Sequence, residues 1–123
     1  MPESVSGAAA VVMRYLDAVA VHDWEAAEAC LSAGVRRTGP FGDVYEGRER
    51  YLAFLRQLMP TLAGYRMDIE RALPAGDGGT VVAQLTETVE LGGKVVVTPE
   101  SLIFEVDDDG RIREIRIYIQ QLS

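Results

Sequence analysis

The chain has 123 residues, of which 48% are hydrophobic and 25% are charged. This is the balance of a globular domain long enough to bury a core without disulfides or metals. The formal net charge of -7 disfavours nucleic acid and anionic membrane surfaces as partners, because neutralising phosphates requires clustered Lys and Arg. One cysteine and one histidine exclude an intramolecular disulfide and a Cys/His zinc cluster. We expect no metal and no other cofactor.

The N-terminus lacks the basic segment and apolar run of a signal peptide, and no stretch is long enough to span a membrane. A cytoplasmic location is therefore expected. Lys94 is the only lysine among many arginines, which is typical of a GC-rich bacterial genome. We expect one domain over residues 1–123.

The first half of the chain has the apolar spacing of three helices. The first is predicted from Val5 to about Val21, with an apolar face of Val12, Tyr15, Leu16 and Val19. Asp23 is the predicted N-cap of a short second helix, 24–31, with Trp24, Ala27 and Leu31 facing inward. The third is predicted from about Gly47 to Met59 and ends at Pro60; its apolar face is Tyr51, Phe54, Leu55 and Leu58.

A short strand precedes the third helix, and the second half of the chain alternates as strands do. Arg37 alternates with Gly39 and Phe41 on the short strand. Four further strands are predicted, at Tyr65–Leu73, Thr80–Glu90, Val95–Val106 and Arg111–Gln120. Gly76–Gly79, Gly92-Gly93 and Asp107–Gly110 are the predicted turns. Helices followed by hairpins indicate an α+β fold, with the helices on one face of a curved, mainly antiparallel sheet.

The turns predict the register of the last three strands. If Gly92-Gly93 is a two-residue turn, Glu87 lies opposite Thr98 and Leu85 opposite Glu100. If Asp107–Gly110 is the next loop, Glu100 lies opposite Ile117. Opposite side chains share a face, so one face holds Val81, Ala83, Leu85, Leu102, Phe104, Ile115, Ile117 and Ile119. We assign this face to the core.

Two carboxylates fall on this apolar face, Glu87 and Glu100. Glutamate is rarely buried unless it is paired or functional. An apolar setting raises the pKa of a carboxyl toward neutrality, and two neighbouring carboxylates push their pKa values apart. Glu100 is thus a candidate general acid or base, with Glu87 beside it. The alternative is structural: Glu100 reaches the rim of the sheet or pairs with a buried arginine.

Two further polar residues are candidates for the same site. The Tyr15 hydroxyl could donate a hydrogen bond into a pocket, or Tyr15 could be a core tyrosine with a satisfied hydroxyl. Arg37 could point inward and pair with a glutamate or a substrate oxygen, or it could be a solvated edge arginine. The apolar lining of the pocket is expected to be Val19, Trp24, Phe41, Phe54, Leu55, Leu58, Met67, Leu85, Leu102, Phe104, Ile115, Ile117 and Ile119.

In the order and spacing of three segments the chain resembles the nuclear transport factor 2-like superfamily, over essentially its whole length. The segments are VVMRYLDAVAVHDWEAAEACL, GPFGDVYEGRERYLAFL and GGKVVVTPESLIFEVDDDGRIREIRIYI. The nearest branches are ketosteroid isomerase and the SnoaL-like polyketide cyclases. The resemblance implies a cone-shaped sheet that encloses an apolar pocket together with three N-terminal helices.

The resemblance also implies roles for particular positions. Tyr15 falls on the tyrosine with which the isomerase stabilises its dienolate oxygen. Gly39, before Pro40, stands where the isomerase has its general-base aspartate, and Leu102 stands where it has a second oxyanion donor. We therefore expect negligible activity on a steroid ketone. Limonene epoxide hydrolase, another branch, uses two carboxylates and an arginine. Glu87, Glu100 and Arg37 are the right residue types, but their positions do not clearly match that pattern.

These observations predict a cofactor-free acid–base enzyme acting on a small, largely apolar molecule by isomerisation, cyclisation or dehydration. Glu100 would move the proton, Tyr15 would donate to a developing oxyanion, and Glu87 or Arg37 would tune the site. The alternatives are an epoxide hydrolase and a non-catalytic ligand-binding or dimerisation domain. The outer sheet face mixes apolar Val95 and Val97 with polar residues, which predicts a homodimer.

Overall fold

The computed structural model describes residues 3–76 and 78–120, with side chains from residue 7 onward. Asp77, in the predicted Gly76–Gly79 turn, lies outside the described residues. The helices are α1 (Glu3–Ala20), α2 (Trp24–Cys30) and α3 (Arg48–Leu58), the last followed by a short 3-10 turn, Met59–Thr61. The strands are β1 (Leu31–Thr38), β2 (Val44–Glu46), β3 (Ala63–Ala75), β4 (Thr80–Leu91), β5 (Lys94–Val106) and β6 (Ile112–Ile119).

The helices begin and end where local chemistry requires. The Asp23 carboxylate accepts a hydrogen bond from the Ala26 amide at 3.2 Å, as the predicted N-cap of α2. Gly47, directly before α3, has φ 96°, a conformation that favours glycine. The short turn after α3 contains Pro60 near its start, where a missing amide proton is tolerated. None of the helices in the described part of the chain is long and apolar enough to cross a membrane.

All six strands form one mixed sheet in the order β2-β1-β6-β5-β4-β3, in which only the β1–β6 pair is parallel. Its inner face packs against the helices, so the α+β fold predicted from the sequence is confirmed. The predicted core residues of β4, β5 and β6 are buried on that face: Val81, Ala83, Leu85, Leu102, Phe104 and Ile115. Tyr15 of α1 meets the Phe104 ring edge to face, with centroids 6.0 Å apart.

The predicted register of β4 and β5 is confirmed along its whole length. Leu91 pairs with Lys94 across Gly92-Gly93, and Leu85 lies opposite Glu100. Both turn glycines have positive φ, 57° and 81°, as a tight hairpin turn requires.

The predicted register of β5 and β6 is wrong by two residues. Glu100 lies opposite Ile119 instead of Ile117, and Leu102 lies opposite Ile117. The loop is one residue longer than predicted, since the Asp107 amide bonds the Arg111 carbonyl at 2.8 Å, and a bulge at Glu105 and Val106 adds a second residue. Because side chains alternate with period two, an offset of two leaves every residue on its predicted face.

Candidate functional site

Two connected chambers lie between the inner sheet face and the helices. The deeper one, here called the inner chamber, has a volume of about 150 Å³. Its lining is mostly apolar and comes from α1, α3 and the sheet: Tyr15, Leu16, Val19, Tyr51, Phe54, Leu55, Leu58, Met59, Met67, Leu85 and Leu102. The outer chamber, about 230 Å³, is lined by Pro40, Tyr65, Val89, Thr98 and Ile119. Arg37, Leu62, Glu87, Glu100 and Ile117 line both chambers.

Three of these shared residues are ionisable: Arg37, Glu87 and Glu100. We call them the polar waist. They lie where the inner and outer chambers adjoin, so a ligand that passes from one chamber to the other contacts them.

Among the acidic and basic residues that the structure describes, only Glu100 is buried, with 9% of its surface exposed. It extends from β5 between Leu85 of β4 and Ile119 of β6, because strand alternation places it on the apolar face. Burial above all, and then the neighbouring Glu87, raise the pKa of Glu100 to about 9 against the opposing charge of Arg37. At neutral pH Glu100 is therefore a neutral carboxylic acid.

Glu87 is half-buried on β4 and receives a hydrogen bond from the Tyr65 hydroxyl of β3. Burial raises the pKa of Tyr65, and the neighbouring Glu87 raises it further, so the hydroxyl keeps its proton and acts as a donor. A hydrogen bond to an ionised carboxylate stabilises that ionised form. Glu87 and Glu100 are thus neighbouring carboxyl groups, of which Glu100 keeps its proton at neutral pH and Glu87 accepts the Tyr65 hydroxyl.

Tyr15 and Tyr51 form a buried hydroxyl pair at the inner chamber, 2.5 Å between the two oxygens. Burial raises the pKa of both hydroxyls, so both stay protonated. Only one of the two protons is needed for the bond between them. The second proton remains for an oxygen atom in the chamber. Tyr15 is thus both a core residue and a chamber residue.

Arg37 points inward from β1, and its side chain is only 11% exposed. Its guanidinium lies 5.3 Å from the Phe54 ring centroid and 5.9 Å from that of Tyr51, which favours a fixed position. Its nearest ionic partner is Asp43, at 2.6 Å, and no described acceptor bonds its Nε. Burial acts to raise the pKa of Asp43, but the hydrogen bond and charge of Arg37 outweigh it and hold that pKa below its usual value.

The Arg37–Asp43 pair explains the glycine at position 39. A Cβ there would overlap the Asp43 carboxylate and the Arg37 guanidinium. A larger side chain at this position would displace the ion pair, and the carboxyl groups of the cavity lie instead on β4 and β5.

The structure brings most of the expected lining residues together. Eight of them line the inner chamber: Val19, Phe54, Leu55, Leu58, Met67, Leu85, Leu102 and Ile117. Ile119 lines the outer chamber. All four polar candidates, Tyr15, Arg37, Glu87 and Glu100, line the inner chamber.

Four expected lining residues do not reach either chamber. Phe41 is 74% exposed, because β1 ends at Thr38 and the chain turns at Pro40 before a second, short strand. Trp24 stacks on His22 at the start of α2, with ring centroids 5.5 Å apart. Phe104 and Ile115 are on the predicted face, but they fill the closed end of the core. Alternation predicts the face on which a residue lies, and not its position along the cavity.

Three site residues were missed: Tyr51, Tyr65 and Asp43. Tyr51 and Tyr65 were assigned to apolar faces, and their hydroxyl partners lie 36 and 22 residues away. For Tyr65 the predicted turn gives no signal, because it pairs Ala75 with Thr80 and a bulge between Ile69 and Arg71 then shifts the register. Met67 lies opposite Glu87 in the β3–β4 register, so Tyr65 is a diagonal neighbour of Glu87 on the same face.

A larger cleft, about 600 Å³, lies between α1 and the loops that precede β4 and β6. Glycine, alanine and loop aspartates dominate its lining, and none of its ionisable side chains is buried. The smaller chambers are the stronger candidate because they combine enclosure with a buried acid, a carboxylate and hydroxyl donors.

A family model described as the SnoaL-like domain matches residues 12–115. The chain belongs to this family. No curated protein matches it significantly in sequence.

Solved structures of the nuclear transport factor 2-like fold resemble this SnoaL-like domain over nearly its whole length. An LEH-like epoxide hydrolase from M. tuberculosis is 27% identical, with a TM-score of 0.80 over 94% of this chain and 84% of that one. A polyketide-cyclase-type protein from Xanthomonas campestris is 25% identical, with a TM-score of 0.77 over 94% and 91% of the two chains. Bal32a, from a soil-derived mobile gene cassette, is 20% identical, with a TM-score of 0.86 over 96% and 92%.

Proposed function

We propose that this SnoaL-like domain is a cofactor-free acid–base enzyme that moves a proton between carbon atoms of a small, largely apolar carbonyl compound. The observation that carries the proposal is the pair of waist glutamates: Glu100 is buried and keeps its proton, and Glu87 accepts a hydrogen bond from Tyr65. General acid–base catalysis needs one group that gives a proton and another that takes one at the same pH.

In the proposed reaction, Glu87 removes a proton from the carbon next to the carbonyl. The electron pair of the broken C–H bond forms an enolate, whose oxygen is stabilised by the spare hydroxyl proton of the Tyr15–Tyr51 pair or by Arg37. Glu100 then delivers its proton to a second carbon as the double bond moves. A cyclisation or dehydration would begin with the same proton removal.

The two glutamates are diagonal neighbours on the inner sheet face, which supports the return of the enzyme to its starting state. After the reaction Glu87 carries a proton and Glu100 has lost one. Since the two glutamates are neighbours on β4 and β5 and line the same chambers, the proton can return from Glu87 to Glu100 and restore the starting state. No solvent proton is consumed in this cycle.

The test is the isomerisation of a β,γ-unsaturated cyclohexenone, followed by the ultraviolet absorbance of its conjugated product. We expect measurable turnover by the native protein and a loss of about a hundredfold or more in kcat for Glu100→Gln or Glu87→Gln. Leu73→Ala, on the exposed edge of β3, is the matched control and should keep full activity. Full activity in the Glu100→Gln variant would refute the role of Glu100.

Epoxide hydrolysis is the second candidate, supported by the 27% identity to the LEH-like epoxide hydrolase. Here Glu87 would take a proton from water as the water oxygen attacks the epoxide carbon, and Glu100 would protonate the leaving epoxide oxygen. Isotopically labelled water with cyclohexene oxide separates the two reactions, because only hydrolysis incorporates the labelled oxygen into a diol. Ligand binding without turnover in either assay would leave a non-catalytic binding domain.

We also propose that the domain is a homodimer that pairs through the outer sheet face. Val95, Val97 and Tyr118 are 64%, 52% and 54% exposed, and an apolar patch on an otherwise polar surface is typical of an interface. Light scattering should give twice the chain mass at micromolar concentration. Val97→Lys should reduce that mass to a monomer, and a native monomer would refute the proposal.

A further inference from the structure

The size of the inner chamber limits what can enter it. Its volume of about 150 Å³ matches that of an engineered apolar protein cavity which stays dry and binds benzene. Leu16, Leu85 and Tyr15 at its wall are each 2% exposed. The wall formed by α1 and β4 therefore resists expansion, because a core that is already at crystal density has no free space into which side chains can move.

The polar waist limits the chamber on its open side. Glu87, Glu100 and Arg37 line both chambers, so an apolar group larger than the inner chamber must press against them. Covering polar groups such as these carboxyls and the Arg37 guanidinium with hydrocarbon is unfavourable unless their hydrogen bonds are kept. The boundary therefore accepts a polar atom of the ligand and rejects a second apolar ring.

We propose that the inner chamber is a specificity pocket for one six-membered ring, or a branched apolar group of similar volume, with the carbonyl oxygen of the ligand at the waist. Fused-ring ketones, steroids included, do not fit. This inference rests on the proposed function in one respect, that the waist is the reacting position, and it names the substrate class.

Met67 sets the size of the pocket. It extends from β3 directly opposite Glu87, and it lines the inner chamber but not the outer one. β3 is an edge strand and Met67 is only half-buried, so the side chain can be shortened or enlarged with less disturbance than one in the central sheet. Ile69 lies two residues further along the same strand, is also half-buried, and lines neither chamber.

The experiment is a ligand-observed NMR titration of the full chain with three probes: cyclohexanone, a decalone with two fused rings, and a steroid ketone. We expect cyclohexanone to bind at least about tenfold more tightly than the decalone, since one methylene too many in an apolar pocket changes affinity by that order. The steroid should show no saturable binding. Met67→Ala should reduce the preference about tenfold, Met67→Trp should abolish cyclohexanone binding, and Ile69→Ala should leave the preference unchanged.

Equal or tighter binding of the decalone by the native protein would overturn the inference, as would the absence of cyclohexanone binding. A preference that Met67→Ala does not alter would overturn the assignment of the ring to the inner chamber. These results are independent of turnover. Selective ring binding without isomerisation contradicts only the proposed function, whereas isomerisation confined to fused-ring ketones contradicts only the specificity pocket.

Discussion

The two ends of the inner sheet face are built from the same strands and yet differ in chemistry. At the closed end, Val81, Ala83, Phe104 and Ile115 are at most 1% exposed and fill the space beneath α1. At the open end, a few residues along β4 and β5, two glutamates line chambers that side chains leave unfilled. Strand alternation places residues inward at both ends. The two ends differ in whether the facing helices fill the space above the sheet. The ionisable groups lie at the end where the helices leave that space open.

The largest loss of stability should come from a substitution at the closed end. Phe104→Ala should lower the free energy of unfolding by about 3–5 kcal/mol, because it removes a fully buried ring and leaves a cavity beside Tyr15. Urea denaturation measures this. Ile103→Ala, the next residue on the half-buried outer face, is the control and should cost much less. Equal losses of stability in the two variants would contradict the distinction between the inner and outer faces of the sheet.

The contribution of the open end to folding stability should depend on pH, unlike that of the apolar closed end. The pKa of Glu100 is about 9 in the folded chain, against an ordinary value of 4.5, so between these values the folded state binds more protons than the unfolded state. Its stabilising contribution is complete below about pH 4.5 and is lost as the pH rises toward 9, with a slope of at most about 1.4 kcal/mol per pH unit.

Denaturation at pH 5, 7 and 9 of the native chain and Glu100→Gln tests this dependence. The native chain should lose stability relative to the variant at each step, and parallel pH profiles would contradict the raised pKa. In the isomerisation assay, kcat should fall on the alkaline side near pH 9, as Glu100 loses the proton that it must donate.

Replacement of the buried acid by a hydrocarbon side chain should have a smaller effect, and of the opposite sign. Glu100→Leu should raise the free energy of unfolding by about 1–2 kcal/mol at pH 8, since it removes a carboxyl from an apolar setting. The same variant should have no isomerase activity. Thermal melts at pH 8 measure this change in stability. A destabilised variant would mean that the Glu100 carboxyl makes favourable hydrogen bonds in the folded chain.

The smallest changes in stability are expected from substitutions of two neighbouring residues on β3. Tyr65→Phe should cost about 1–2 kcal/mol, because it removes the hydroxyl that bonds the Glu87 carboxylate. Arg66→Ala should cost less than about 0.5 kcal/mol, although Arg66 and Asp68 lie only 2.8 Å apart, because that ion pair is exposed to solvent. A larger loss for Arg66→Ala than for Tyr65→Phe would contradict the comparison.

The sequence predicts the faces of the strands better than it predicts contacts. Glu100 was identified because a two-residue glycine turn determines the β4–β5 register, and burial on an alternating strand follows directly from that register. The partner of Arg37 could not be found in this way. Asp43 approaches it only because the chain reverses between β1 and β2, and the geometry of that reversal depends on backbone angles that residue types do not determine.

The same limit explains the two tyrosines. A tyrosine on an apolar face is consistent with a core residue, and only the distance to a second hydroxyl or to a carboxylate makes it part of a site. The partner of Tyr65 depends on the bulged register of β3 and β4. The partner of Tyr51 depends on how α1 and α3 pack over the sheet. Hydrophobic patterning determines that packing only approximately.

The geometry of the β5–β6 hairpin limits which insertions and deletions this part of the chain can accept. Its loop and its bulge each add one residue to the register, and together they keep Ile115 and Ile117 facing the helices. Deletion of Asp108 alone would reverse the parity of β6 and turn these isoleucines toward solvent, unless the bulge at Glu105 and Val106 disappeared with it. Insertions and deletions in this hairpin should therefore be tolerated in pairs, one in the loop and one in the strand.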